Sequence, residues 1–251
     1  MVRPAIRFHV GRLPGKMGLT VTDGLGGILA TALKHLFDNN AQWVQDTLAQ
    51  DPDFFERLSQ QQAPEYLWIG CADSRVPANQ VVGLMPGELF VHRNVANVVV
   101  QTDLNLLSVL QFAVEVLKVK HVIVCGHYGC GGVKAAYQDA HLGLIDNWLR
   151  HIQNVAADHR ELLAAQPDEM AAVNKLCELN VVAQVANVCR TTVVADAWRG
   201  GQELSVHGCI YGLEDGRLRD MGLGVRSTGE LDEQCRQAVE RLSQGAPMPQ
   251  E

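Results

Sequence analysis

The chain has 251 residues, 47% of them apolar and 20% charged, with a formal net charge of −7. This is the composition of a globular chain long enough for one large domain or two small ones. The negative balance argues against a nucleic-acid role built on phosphate contacts, and no apolar run nears the roughly 18 residues of a membrane span.

Seven cysteines, an odd count in a chain this long, argue against a disulfide scaffold and for a reduced, cytoplasmic setting. Residues 1–32 differ from the rest. Arg3, Arg7, Arg12 and Lys16 precede the first acid, Asp23, and a short apolar stretch with Ala30-Thr31-Ala32 follows. Asp23 and four glycines interrupt that stretch, which makes a poor signal peptide. A disordered N-terminal extension is expected, or a start placed upstream of Met17. Residues 33–251 are expected to form a single domain.

In chain order, Leu33, Leu36, Phe37, Trp43, Val44, Thr47 and Leu48 recur at helical spacing. Asp51-Pro52-Asp53 stops that helix and opens a shorter one with Phe54, Phe55 and Leu58 inward. Residues 66–70 read as the first strand and 76–82 as a short helix with Pro77 in its first turn. Residues 88–93 are the second strand. Thr102-Asp103 caps a long apolar helix to about 118, its inward set Leu106, Leu107, Leu110, Phe112, Ala113, Val114 and Leu117. Residues 121–125 are the third strand, followed by a helix from about 133. Helical patches fill 139–168, and 169–199 read as one long helix or two, stopped by Gly200-Gly201. Residues 204–211 are the fourth strand. Glu214-Asp215-Gly216 is a hairpin turn into an antiparallel edge strand, 217–225, and 230–242 form a closing helix. This alternation predicts an α/β fold: a mostly parallel central sheet of four strands plus an antiparallel edge strand, flanked by helices.

Two short stretches carry the chemistry: Gly70-Cys71-Ala72-Asp73-Ser74-Arg75 and Cys125-Gly126-His127-Tyr128-Gly129-Cys130-Gly131-Gly132. Each follows a short apolar strand, and parallel strands put their C-terminal loops on one edge of the sheet, where the loops can meet. Together they offer two thiols, one imidazole and one carboxylate. That set can close a tetrahedral zinc site of Cys71, His127 and Cys130 with either Asp73 or a water in fourth place. Zinc suits thiolate and imidazole better than magnesium or calcium do. Asp73 has two roles open to it, a fourth ligand or an acceptor that orients a metal-bound water, and Arg75 is placed to hold it off the metal. Gly129, Gly131 and Gly132 leave backbone N–H groups open for an anionic product. Taken singly, each cysteine reads as a small core residue and His127 as a satisfied one. Four such groups at two adjacent strand tips read as a site.

These residues resemble the β-class carbonic anhydrases. The likeness runs through 68–77, through Phe90-Val91-His92-Arg93-Asn94-Val95-Ala96-Asn97, through 126–132 and through Cys177-Glu178-Leu179-Asn180-Val181, and looks like the bacterial branch. The resemblance implies reversible hydration of carbon dioxide to bicarbonate and a proton by a zinc-bound hydroxide. Cys71, His127 and Cys130 would be the ligands, Asp73 and Arg75 the catalytic dyad. Trp68, Arg93 and Tyr211 stand where one subgroup binds an inhibitory bicarbonate that favours Asp73 on the metal. The resemblance also implies a homodimer or tetramer, with the helix at about 33–50 lying on a neighbouring subunit. Two other readings share the ligands: hydrolysis of another small heterocumulene such as carbon disulfide, and a zinc-stabilised or bicarbonate-sensing protein without turnover. The intact Asp73–Arg75 pair counts against the last.

Overall fold

The computed structural model describes residues 32–60 and 62–245. The expected N-terminal extension lies outside them except for residue 32. The chain divides into two units, Met1–Glu56 and Arg57–Glu251.

In the first unit, helix α1 spans Lys34–Gln50 and stops where Asp51 turns extended, its N–H bonded to the Thr47 carbonyl. None of its residues is buried, and Phe37 is 68% exposed. Trp43 packs edge-to-face on Phe55, with ring centroids 5.3 Å apart. The short helix α2, Phe54–Gln60, follows.

The second unit is built on a five-stranded sheet: β1 (Tyr66–Cys71), β2 (Leu89–Asn94), β3 (His121–His127), β4 (Ser205–Tyr211) and β5 (Leu218–Val225). The order is β2-β1-β3-β4-β5, with β1–β4 parallel and β5 antiparallel on the edge. This is the predicted architecture. Leu67 and Ile69 of β1 pair in register with Val122 and Val124 of β3, and all four belong to one large buried core. Burial of each such side chain is worth roughly 1.5–3 kcal/mol. The opposite face carries a smaller cluster around Trp68, Leu89 and Cys125.

Between the strands lie α3 (Ala78–Val81), α4 (Leu104–Gln111), α5 (Gly131–Tyr137), α6 (Ile145–Asp158), α7 (Arg160–Ala164), α8 (Glu169–Cys189) and α9 (Thr192–Arg199). Helix α10 (Leu231–Ser243) closes the unit. α8 is buried along most of its length and packs on β3 and β4. It comes close because Gly126 has no side chain: a Cβ there would stand 2.7 Å from the Val181 Cγ2 atom.

Several boundaries differ from the sequence reading. The predicted 76–82 helix begins only at Ala78, because Pro77 is itself extended, with ψ 98°. The 169–199 segment is two helices. Thr191 turns extended and caps the second, its Oγ1 accepting from the Val194 N–H. α4 is capped by Asp103 as expected and runs on into a π-helical turn, Phe112–Val116. Phe112, expected inward, is 43% exposed and tilts against Phe90. Two residues past buried Leu110 it falls on the other side of the helix.

Candidate active site

β1 ends at Cys71 and β3 at His127, and the two strands are hydrogen-bonded neighbours. Cys130 caps the N-terminus of α5, three residues beyond β3. α5 sits against the short 3₁₀ turn Val95–Asn97 that follows β2. Gly132 allows that approach: a Cβ on it would stand 2.8 Å from Val95 Cγ1 and 3.2 Å from Ala96 Cβ.

These loops bring Cys71, His127 and Cys130 together, all buried, with one ligand atom of each inside a mutual span of 4.8 Å. The two sulfurs are 3.9 Å apart and both thiols are free. Two zinc–sulfur bonds of ~2.3 Å at a tetrahedral angle put their sulfurs ~3.8 Å apart. His127 Nδ1 lies 3.0 Å from the Tyr128 carbonyl oxygen, which only accepts, so the ring proton sits on Nδ1. Nε2 is then a bare lone pair, buried and without a hydrogen-bond partner among the described residues. A buried acceptor left bare is costly. A metal ion in contact with it and the two sulfurs removes that cost, so the donor set fits zinc.

The thiols divide their protons unevenly. Hydrogen bonding from the Cys130 thiol pulls Cys71 well below the ordinary thiol value, helped by the backbone N–H groups of Asp73 at 3.4 Å and Ala96 at 3.3 Å. Cys130 is pushed up by its Cys71 neighbour and by burial. Two thiolates this close need a cation between them.

Asp73 stands outside the three-donor group. Arg75 takes both its carboxylate oxygens, Nε donating to Oδ1 at 3.0 Å and Nη2 to Oδ2 at 2.7 Å, and the Arg75 backbone N–H adds a third bond at 2.9 Å. This grip holds the carboxyl well below the usual carboxylate range. Asp73 Oδ2 nevertheless lies 3.8 Å from His127 Nε2, at the rim of the donor set. Gly131, the first residue of α5, faces open space where a Cβ would be.

The three residues of the expected bicarbonate pocket come from β1, β2 and β4. Trp68 and Tyr211 share the smaller apolar cluster. The Trp68 indole N–H has no acceptor among the described residues. Arg93 is engaged: Nε donates to the Cys71 carbonyl at 2.8 Å and Nη2 to the Asp73 carbonyl.

Three residues at the site had no role in the sequence reading beyond the resemblance. Ala96 donates its N–H to Cys71 Sγ. Glu178 accepts from the Tyr128 hydroxyl at 2.6 Å, and Asn180 donates to the Ala96 carbonyl at 3.0 Å. The available signal was a carboxylate and an amide, Glu178 and Asn180, set among the apolar residues of a helix.

An α/β sheet that delivers two cysteines and a histidine to one edge makes an α/β protein with a group that could hold a metal ion. Comparison with known proteins narrows the class. The carbonic anhydrase family profile matches residues 66–218. A carbonic anhydrase of Emericella nidulans is 47% identical over 188 residues, covering 75% of this chain and 82% of that protein. One of Pseudomonas aeruginosa is 33% identical over 192 residues, covering 74% and 86%. Among solved structures, a tetrameric β-carbonic anhydrase of Sordaria macrospora aligns with a TM-score of 0.74 at 38% identity, covering 78% of this chain and 99% of that one. A Coccomyxa β-carbonic anhydrase in complex with acetazolamide aligns with a TM-score of 0.75 at 37% identity, covering 82% and 97%. The chain belongs to the β-class carbonic anhydrase family.

Proposed function

We propose that this enzyme catalyses the reversible hydration of carbon dioxide to bicarbonate and a proton, with one zinc ion held by Cys71, His127 and Cys130. The observation that carries this reading is the bare, buried His127 Nε2 grouped with two thiols 3.9 Å apart. Zinc bound there supplies a Lewis acid that makes water a usable nucleophile near neutral pH. The chain's own part is geometric and electrostatic. Tyr128 fixes the His127 tautomer through its carbonyl. Arg75 keeps Asp73 ionised and turned from the donor set, where its oxygens can accept a hydrogen bond from a water at the site. Two thiolates cancel the charge of a zinc ion, so water there is less acidic than at a three-histidine site, and activity rises toward alkaline pH. Stopped-flow hydration from pH 6.5 to 9 with zinc analysis alongside tests this. Hydration that rises with pH and tracks zinc content supports it. Zinc without hydration at any pH rejects it.

The same reading extends to control by bicarbonate at Trp68, Arg93 and Tyr211. What supports it is the open indole N–H of Trp68, beside Tyr211 in one cluster, and the double hold of Arg93 on the Cys71 and Asp73 carbonyls. An anion that draws the Arg93 guanidinium to itself loosens the Asp73 backbone and frees its carboxylate to move toward the metal.

A homodimer or tetramer is also part of this reading. The exposed Leu36, Phe37 and Trp43 of α1 support it, as does the tetrameric state of the Sordaria relatives.

A further inference from the structure

We propose that Asn180 is a positioning residue for the metal centre, acting through the Ala96 carbonyl on the N–H that Ala96 gives to the Cys71 sulfur. The inference rests on the zinc reading above and gives a role to Ala96 and Asn180, which the proposed chemistry otherwise leaves unused.

Ala96 and Asn97 both occupy the left-handed region, with φ of 62° and 47°. Two consecutive residues with side chains in that region are disfavoured and persist only where their surroundings hold them. The conformation has a consequence at the metal centre, because it aims the Ala96 N–H at Cys71 Sγ, 3.3 Å away. An N–H pointed at a ligand sulfur favours the thiolate and fixes where its remaining lone pairs face.

The restraint on Ala96 comes from α8. Asn180 Nδ2 donates to the Ala96 carbonyl at 3.0 Å. Asn180 is itself held: Gln184 Nε2 donates to its Oδ1 at 2.8 Å. Gln184 Oε1 accepts from the Val99 N–H at 2.9 Å and from Asn187 Nδ2 at 3.0 Å, and Asn187 Nδ2 also reaches the Val99 carbonyl. Residues 180, 184 and 187 lie at i, i+4 and i+7, one stripe of the helix. The stripe lies on a helix that is buried along most of its length, and Asn180 is only 1% exposed. A helix needing only to pack would place an apolar residue there. The amide ladder instead spends its hydrogen bonds on the segment after β2, and its first rung is one peptide from the Cys71 sulfur. α8 is pinned at that level because Val181 seats on Gly126, one residue before His127.

The test is zinc release from the holoenzyme to a colorimetric chelator, with the absorption of the cobalt-substituted protein as a second readout. Asn180→Leu should release zinc roughly tenfold faster than the parent, the lower end of what loss of such a supporting contact costs. It should also shift the sulfur-to-cobalt band. Gln184→Leu, which removes the anchor of Asn180, should shift both readouts in the same direction, and it decides the matter should Asn180→Leu fail to fold. Thr191→Ala removes an equally buried cap, that of α9, just past the far end of α8. It should lower the unfolding temperature and leave zinc release unchanged. Parent-like release and an unshifted band in the Asn180 and Gln184 variants would overturn the positioning role. Acceleration by Thr191→Ala equal to theirs would also overturn it, because general loosening then explains the effect. A parent protein that takes up no zinc would instead remove the zinc reading itself.

Discussion

Arg75 holds Asp73 by both oxygens of its carboxylate, Nε on Oδ1 and Nη2 on Oδ2, while Oδ2 stays 3.8 Å from the bare Nε2 of His127. On the zinc reading the pair is a latch beside the metal. Closed on Arg75, the carboxylate is ionised and turned away from the donor set. Released, it would be an oxygen ligand within reach of an ion held by Cys71, His127 and Cys130.

Replacing Arg75 therefore separates metal retention from turnover. Arg75→Ala should keep zinc near one per chain and lose roughly a hundredfold in the hydration rate at pH 8, the size of effect typical of a lost acid–base partner. Arg75→Lys, which keeps the charge but loses the two-pronged grip, should fall between. Stopped-flow rates with zinc analysis check this, and a rate within threefold of the parent for Arg75→Ala would remove the latch.

At the expected bicarbonate pocket, Trp68→Phe deletes the open indole N–H and Tyr211→Phe deletes a hydroxyl of the same cluster. Each should weaken bicarbonate inhibition several-fold and leave the uninhibited rate near the parent's. Arg93→Lys should do the same and also lower the uninhibited rate, since Arg93 supports the Cys71 and Asp73 carbonyls. Inhibition curves at fixed ionic strength read both effects. Unchanged curves for Trp68→Phe and Tyr211→Phe would place any inhibitory site elsewhere.

A pH effect on stability is expected at the other end of the sheet. His121 Nδ1 and His207 Nε2 each lie 2.8 Å from the Ser205 hydroxyl. Burial, with nearby His121 adding to it, pushes the His207 imidazole below the ordinary histidine value. The unfolded chain then takes up a proton below about pH 6.5 that the folded chain refuses. Stability from this group is complete above that pH and is lost as the pH falls, by at most about 1.4 kcal/mol per pH unit for one proton. Unfolding temperatures from pH 7.5 to 5 should decline, and less steeply in His207→Gln. Parallel slopes would contradict the assignment.

The strand tips and their donors were legible because each is a short contiguous motif behind an apolar run, and the periodicity of such runs survives without tertiary context. Asp103 was legible as a cap for the same local reason. The neighbour order β2-β1-β3 was not, since register and order depend on side chains far apart in sequence. The left-handed Ala96 was not legible either, because alanine carries no signal for that conformation and only its partners impose it. Phe112 was misplaced because hydrophobicity gives a helix face only when the neighbouring elements leave that face covered.

The most direct measurement is a zinc titration of the metal-stripped enzyme, followed by stopped-flow carbon dioxide hydration at pH 8.5. The account predicts a rate that climbs linearly and breaks at one zinc per chain, with Cys130→Ser and His127→Ala remaining flat throughout. A rate indifferent to added zinc, or a full response from either variant, would contradict it.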